Sequence, residues 1–333
     1  MIDLKKLYRQ LDTHSKPKLS ATDYYIASPI PEYPNHRLAQ DKNGNPCLLL
    51  DTGKAREEIF HPPLKLENLT VLFDVDCKTI NKGKFERKRF TVICCMGNDQ
   101  LMNNYFLRIG NTIISIIGKT PTTDKIYDAI DKLIELFRVL NSAPRKSVQG
   151  LWAELFVISI STNPTSLLEA WHQSPLEKYD FSKNDQRIEV KSATHEKREH
   201  YFSLDQLSSK DGLEVLVASI FVERIGTGLS VLDLADTIRS RINFEPELLF
   251  HIDNVINMTL GEKWRLAIKD TFDHQLAKKS LQFYFSNTIP SIDQELPKAI
   301  SDVHFKVDLT NISSIHRKLL RDKGDIFESI IPT

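Results

Sequence analysis

The stretch KYDFSKNDQRIEVKSAT, residues 178–194, carries an aspartate at 180, then a glutamate and a lysine two apart at 189 and 191. It reads as two short strands, KYDF and QRIEVKSA, joined by the polar turn SKND. Side chains alternate along a strand, so Ile188 and Val190 take one face and Arg187, Glu189 and Lys191 the other. If the two strands pair, Asp180 comes beside Glu189. Neighbouring carboxylates raise each other's pKa unless a cation lies between them. A hard divalent ion, Mg2+ with Mn2+ as substitute, suits such oxygen ligands and keeps several of its waters. A lysine close by would orient or activate one of those waters.

The competing reading is an exposed hairpin with a surface Glu–Lys contact worth under about 1 kcal/mol. The acidic-x-Lys spacing alone does not choose between them. Asp3-Leu4-Lys5, Asp76-Cys77-Lys78 and Glu86-Arg87-Lys88 show the same pattern and are read as decoys.

On either side of the hairpin the chain alternates helices and strands. PTTDKIYDAIDKLIELFRVLN (121–141) has the spacing of an amphipathic helix, and SAPRKS breaks it. SVQGLWAELFVISIS (147–161) reads as a second, mostly buried helix, with Trp152 and later Trp171 in the core; PTSLLEAWHQSP has no clear type. After the hairpin come strands in HYFSL and LEVLVASIFVERI, a capping box of Ser230 and Asp233 on LSVLDLADTIRSRI, and a helix over 245–258. LQFYFSNTIP and HFKVDL return to strand, and ISSIHRKLLRDK ends the chain as a basic helix. Upstream, residues 3–12 suit a short helix, and the stretch 16–36, with four prolines, a loop with extended chain. From about 45 to 118 the pattern is strand-like: CLLLDT, LTVLFDVD, RKRFTVICCM and NYFLRIGNTIISIIG, with turns at DKNGNP and at Gly110-Asn111. The expected class is α/β (mixed α+β): a β-rich domain over 1–120, a helix-covered sheet over 121–262, and C-terminal strands with a basic helix over 263–333.

The 333 residues, 41% hydrophobic and 26% charged, are enough for two or three domains with a full core. Lys+Arg and Asp+Glu are both 44, so a nucleic-acid partner would need a local basic patch rather than overall charge. No P-loop or dinucleotide fingerprint is present, which argues against ATP or NAD chemistry in this chain. Cys47, Cys77, Cys94 and Cys95 lack CxxC spacing, and the neighbours 94 and 95 read as small buried hydrophobes. With a polar start and no apolar run near about 18 residues, the expectation is a reduced cytoplasm and no membrane. His195 and His200 come closest to a histidine pair, but no cysteine is near enough to complete a zinc site.

The order of these features is more specific than any one of them. A helix with GLWAEL, then Trp171, then Asp180-Phe181, then Ile188-Glu189-Val190-Lys191 resembles the PD-(D/E)xK phosphodiesterase superfamily, most sharply from Gln149 to about Leu207. More narrowly it resembles a bacterial family of PD-(D/E)xK members encoded beside DNA methylation and defence genes. Tyr179 stands where the strict motif has proline, a departure common in the superfamily.

The resemblance implies a restriction-endonuclease-like core and a cytoplasmic Mg2+-dependent DNA endonuclease of restriction or anti-phage defence, leaving 5′-phosphate and 3′-hydroxyl ends. It implies Asp180, Glu189 and the Val190 carbonyl as metal ligands, with Glu154 completing the site. Lys191 would position the water and Gln206 would hydrogen-bond near it. Ser192 and Thr194 would contact phosphate or merely end the strand. His316, Arg317, Lys318, Arg321 and Lys323 would grip a phosphate backbone or stay solvated. Implied partners are DNA, ATPase or methyltransferase proteins of a defence operon, and a second copy of the chain. The alternatives are a non-cleaving or partner-dependent DNA-binding subunit, and a purely structural interaction protein.

Overall fold

The computed structural model describes residues 3–11, 24–52, 62–97, 99–119, 121–144, 146–194, 196–207, 212–243, 245–267, 269–292, 297, 299–300 and 302–333. The chain forms two compact units, Met1–Val139 and Leu140–Thr333.

The first unit opens with α1 (Leu4–Arg9), capped by the Asp3 side chain, which accepts from the Lys6 N–H. Strands β1 (Tyr24–Ile30), β2 (Tyr33–Gln40), β3 (Pro46–Leu50), β4 (Leu64–Lys65), β5 (Leu69–Asn81) and β6 (Lys84–Cys95) follow, then α2 (Gln100–Ile117) and α3 (Thr123–Val139). The sheet order is β1-β2-β3-β6-β5-β4, and β1 also pairs in parallel with β5, Tyr24 beside Lys78. That last pairing closes five strands into a ring, which covers edges that would otherwise be open to another chain.

Four expectations change here. Residues 24–36, read as loop and extended chain, contain β1 and the start of β2, an antiparallel pair with Ile26 opposite Gln40. NYFLRIGNTIISIIG is helix, not strand, capped by Asp99 and buried through Met102, Tyr105, Phe106, Ile109, Ile113 and Ile117. Its isoleucines suit either state, and helical spacing of the buried face decides. Gly110, expected in a turn, lies within α2; a Cβ there would come 3.0 Å from Leu4 and 3.3 Å from Leu48, so its absence lets α1 and β3 approach.

The third change concerns the cysteines. Cys94 is disulfide-bonded to Cys47, its direct partner across β3 and β6, while Cys77 and Cys95 are buried and free. The fourth is the expected division at 121. Phe137 of α3 packs its ring 5.8 Å from Tyr105 and 6.2 Å from Phe106, and the Thr123 hydroxyl donates to the Thr52 carbonyl. Those contacts put α3 in the first unit, and residues 263–333 belong with the second.

The second unit contains α4 (Val148–Ile160), α5 (Pro164–Ala170), β7 (Phe181–Lys183), β8 (Gln186–Ala193), β9 (Glu199–Ser203), α6 (Leu204–Leu207), β10 (Glu214–Phe221) and β11 (Arg224–Leu229). It continues with α7 (Val231–Arg241), α8 (Pro246–Leu260), α9 (Trp264–Ala267), α10 (His274–Ser280), β12 (Gln282–Phe285), β13 (His304–Asp308), α11 (Arg317–Lys323) and α12 (Asp325–Ser329). The stretch PTSLLEA is thus helical, started by Asn163 as cap and Pro164 in the first turn. The expected capping box is present: Ser230 and Asp233 each accept from the other's backbone N–H.

The main sheet is mixed, in the order β12-β10-β8-β7, with β8 and β10 parallel and both outer strands antiparallel to their neighbours. One face carries Val217 and Tyr284 into a cluster with Phe202, Leu207, Val307 and Leu309, beneath the β9–β13 pair. The other face takes α4, whose Gln149 Nε2 donates to Ser192 Oγ on β8 at 3.0 Å. Residues Leu151 to Ile160 of α4 are all buried, as expected for a helix apolar on every side. No helix among the described residues is long and apolar enough to cross a membrane.

Candidate active site

β7 and β8 form an antiparallel hairpin with Phe181 opposite Ile188, turning through Asn184 at a φ of 49° that asparagine tolerates. Asp180, one residue before β7, is thereby carried alongside the middle of β8. Its Oδ2 accepts from the Val190 N–H at 2.8 Å. Asp180 and Glu189 are only 4% and 6% exposed, so this is not a solvated hairpin. Val190 meets Asp180 through its N–H, and its carbonyl remains the candidate donor to a metal.

Glu154 comes from the middle of α4 and is 2% exposed. Its Oε2 accepts from Trp171 Nε1 at 2.8 Å and lies 2.8 Å from His172 Nε2. Its Oε1 and the Oδ1 of Asp180 are bridged by one ammonium, Lys146 Nζ, at 3.1 and 2.9 Å. On the other face of β8, Lys191 Nζ is 2.6 Å from Glu189 Oε1 and donates to Gln206 Oε1 at 3.3 Å, above the Phe202 ring. Gln206 is itself fixed by the Ser203 N–H and the Lys178 carbonyl.

Three residues of this cluster have a contact with its carboxylates that no sequence feature assigned to them. Lys146 lay in SAPRKS, read only as a helix break. Trp171 was read as core, which it is, yet its indole N–H is directed at Glu154. His172 directly follows Trp171 and belongs to no motif of its own. Adjacent Trp and His ahead of the Asp-Phe pair were the available hint, but only the fold brings α4 against them.

Other sequence candidates separate from the site. Ser192 accepts from Gln149 rather than standing free. His200 is buried with Nε2 2.7 Å from Ser219 Oγ, and His195 lies outside the described residues. The decoys do other work: Asp3 caps α1, Asp76 pairs with Arg87 and Glu86 with Arg37.

Burial pushes the Asp180 carboxyl well above its ordinary range, helped by the charges of Glu154 and Glu189 and opposed by Lys146 and the Val190 N–H. Burial would also raise Glu154, but His172, Lys146 and Trp171 outweigh it and hold this carboxyl low. Burial would lower Lys146, and Asp180 with Glu154 override it, so its ammonium is held charged. The charged form of Asp180 is therefore disfavoured in this cluster and depends on a cation beside it, a place that Lys146 takes here and that a divalent ion would suit. Glu154, His172 and Asp180 offer ligand atoms all within 4.8 Å of one another. Glu189 is not part of that triple; its carboxylate is turned to Lys191. The donors present fit a divalent ion.

A family described as "Putative PD-(D/E)XK family member" (DUF4420) matches residues 4–310. The chain belongs to that family. Its mixed sheet and helices are accordingly a PD-(D/E)XK-like α/β fold. PD-(D/E)XK folds typically use divalent metals, in keeping with the donors above. In this PD-(D/E)XK member Tyr179 takes the proline position, and its hydroxyl donates to the carbonyls of Asp205 and Gln206, tying the site to α6. No curated protein and no solved structure matches the chain.

Proposed function

We propose that the protein is a divalent-metal-dependent endonuclease that hydrolyses phosphodiester bonds of DNA in prokaryotic restriction or anti-phage defence. The observation that carries this reading is the burial of three carboxylates, Glu154, Asp180 and Glu189, around the same hairpin as Lys191. Carboxylates are costly to bury without a cationic partner, and a merely structural hairpin would turn them to water. Family membership supports a nuclease-type reaction; the DNA substrate and the defence setting are inferred from the resemblance of the chain to proteins encoded beside methylation and defence genes.

Asp180 and Glu154 would hold Mg2+ or Mn2+ together with the Val190 carbonyl, and Glu189 would join them by turning its carboxylate from Lys191. When bound, such an ion supplies a Lewis acid for a phosphate oxygen and an acidified water. The chain's own groups do the positioning. Trp171 and His172 orient Glu154, and the Val190 N–H orients Asp180. Gln206 holds the Lys191 ammonium where it orients the attacking water and meets charge growing on the phosphate. One such site cuts one strand, so a double-strand break takes two copies or two successive nicks.

The test is cleavage of supercoiled plasmid, methylated and unmethylated, with Mg2+, Mn2+ or EDTA. Nicking should need the metal and fall by about a hundredfold or more in Lys191→Ala. DNA binding without turnover in every lane, unchanged in Lys191→Ala, would instead identify a non-cleaving subunit.

A further inference from the structure

Lys146 immediately precedes Ser147, the N-cap of α4, and reaches into the carboxylate cluster. Its Nζ lies 2.9 Å from Asp180 Oδ1, 3.1 Å from Glu154 Oε1 and 3.5 Å from His172 Nε2. These are the three residues whose ligand atoms lie within 4.8 Å of one another. The ammonium thus touches every member of the donor triple, where a bound cation would have to be.

The two carboxylates divide their oxygens in the same way. Asp180 gives Oδ2 to the Val190 N–H and Oδ1 to Lys146. Glu154 gives Oε2 to Trp171 and His172 and Oε1 to Lys146. One oxygen of each is anchored by fixed neighbours, and the other is held by the lysine. Removing the ammonium would leave both carboxylates in place, with Oδ1 and Oε1 directed at one vacated position. A lysine head is a point charge on a four-carbon stem, and 26% of this side chain is exposed, so it has a route to solvent. An ammonium and a divalent ion cannot share the position, because like charges at such separations repel strongly.

We propose that Lys146 is a tethered counter-cation that fills the metal position between Glu154 and Asp180 and must withdraw when a divalent ion binds. The inference rests on the metal-site reading above and adds a built-in competitor to it. In metal-free protein the lysine keeps two buried carboxylates from repelling each other and preserves the shape of the site. It also raises the concentration at which the metal enters.

The test needs no substrate. Mn2+ binding is followed by the electron paramagnetic resonance signal of free Mn2+, for wild type, Lys146→Met and Lys146→Gln. Both variants should bind Mn2+ about tenfold more tightly or better, since the competitor is gone. In parallel, wild-type protein is acetylated with an N-hydroxysuccinimide ester and Lys146 modification is quantified by peptide mass spectrometry. Lys146 should react slowly in EDTA and several-fold faster with Mn2+, while surface lysines such as Lys84 do not change. This second measurement decides the matter if the variants fail to fold. Equal Mn2+ affinity in all three proteins, with Lys146 reactivity unmoved by Mn2+, would overturn the proposal and leave the metal site standing. No Mn2+ binding by any of them would overturn the metal reading, and the proposal with it.

Discussion

Trp171 shows how one buried group can serve packing and chemistry together. Its ring lies in the core at 1% exposure, and its N–H donates to Glu154 Oε2 at 2.8 Å. Phenylalanine keeps most of the apolar surface and removes that donor. Trp171→Phe should therefore destabilise the protein by about 2 kcal/mol, the usual loss for a buried hydrogen bond to a charged acceptor. Urea unfolding monitored by far-UV circular dichroism measures it, and a loss below about 0.5 kcal/mol would mean His172 and Lys146 alone suffice for Glu154. Asp180, Glu189 and Lys191 stood out as candidates in the sequence through the order of motifs around them, and strand alternation put Glu189 and Lys191 on one face. The contacts of Lys146, Trp171 and His172 with Glu154 were not legible there, since they depend on segments that meet only after folding.

Between elements, β9 and β10 are joined through a buried polar contact. Arg198 Nη1 donates to Ser219 Oγ at 2.8 Å, and His200 Nε2 lies 2.7 Å from the same oxygen. A neutral imidazole accepting from the Ser219 hydroxyl fits that arrangement. Burial, then the charges of Lys191 and Arg198, lower the His200 pKa from 6.5 to about 4, against a small opposing pull from Asp308. The folded state thus resists a proton that the unfolded chain accepts below about pH 6.5. This contribution to stability is complete above pH 6.5 and is lost as pH falls toward 4, amounting to about 3 kcal/mol over that window. Denaturation midpoints at a series of pH values should fall more steeply in wild type than in His200→Gln, and parallel slopes would exclude the effect. The same kind of tertiary contact explains the one helix read as strands: α2 is rich in isoleucine, and its packing on α1 and β3 through Gly110 chooses the helix.

Across the second unit as a body, charge is unevenly placed. α11 and the residues leading to it, with β12, line a cavity of about 640 Å3 whose lining includes His316, Arg317, Lys318 and Arg321 and, among the described residues, no acidic side chain. Lys323, at the end of the same helix, is instead paired with Glu214. A patch of this kind attracts a phosphate backbone without reading its sequence. The double variant Lys318→Glu, Arg321→Glu should weaken DNA binding equally for unrelated sequences and flatten the salt dependence, log Kd against log salt, by about 2. Fluorescence anisotropy over a salt series tests this, and an unchanged slope would return α11 to the solvated surface. The chain is electrically neutral overall, so such a surface has to be local.

Much of the second unit could be read from residue order alone: the buried helix α4, the β7–β8 hairpin and the capping box of α7. Each rests on a short-range rule, a period of two or 3.6 or a cap three residues from its partner. Closure of the β1–β6 sheet, the Cys47–Cys94 bond, the placement of α3 in the first unit and the Lys146 bridge rest on long-range contacts. Most of their partners are separated by tens of residues, and no local period relates them. Burial then sets the charge balance: the same Asp180 that would be an ordinary carboxylate on a solvated hairpin becomes, beneath α4 and beside Glu154, a group that calls for a cation.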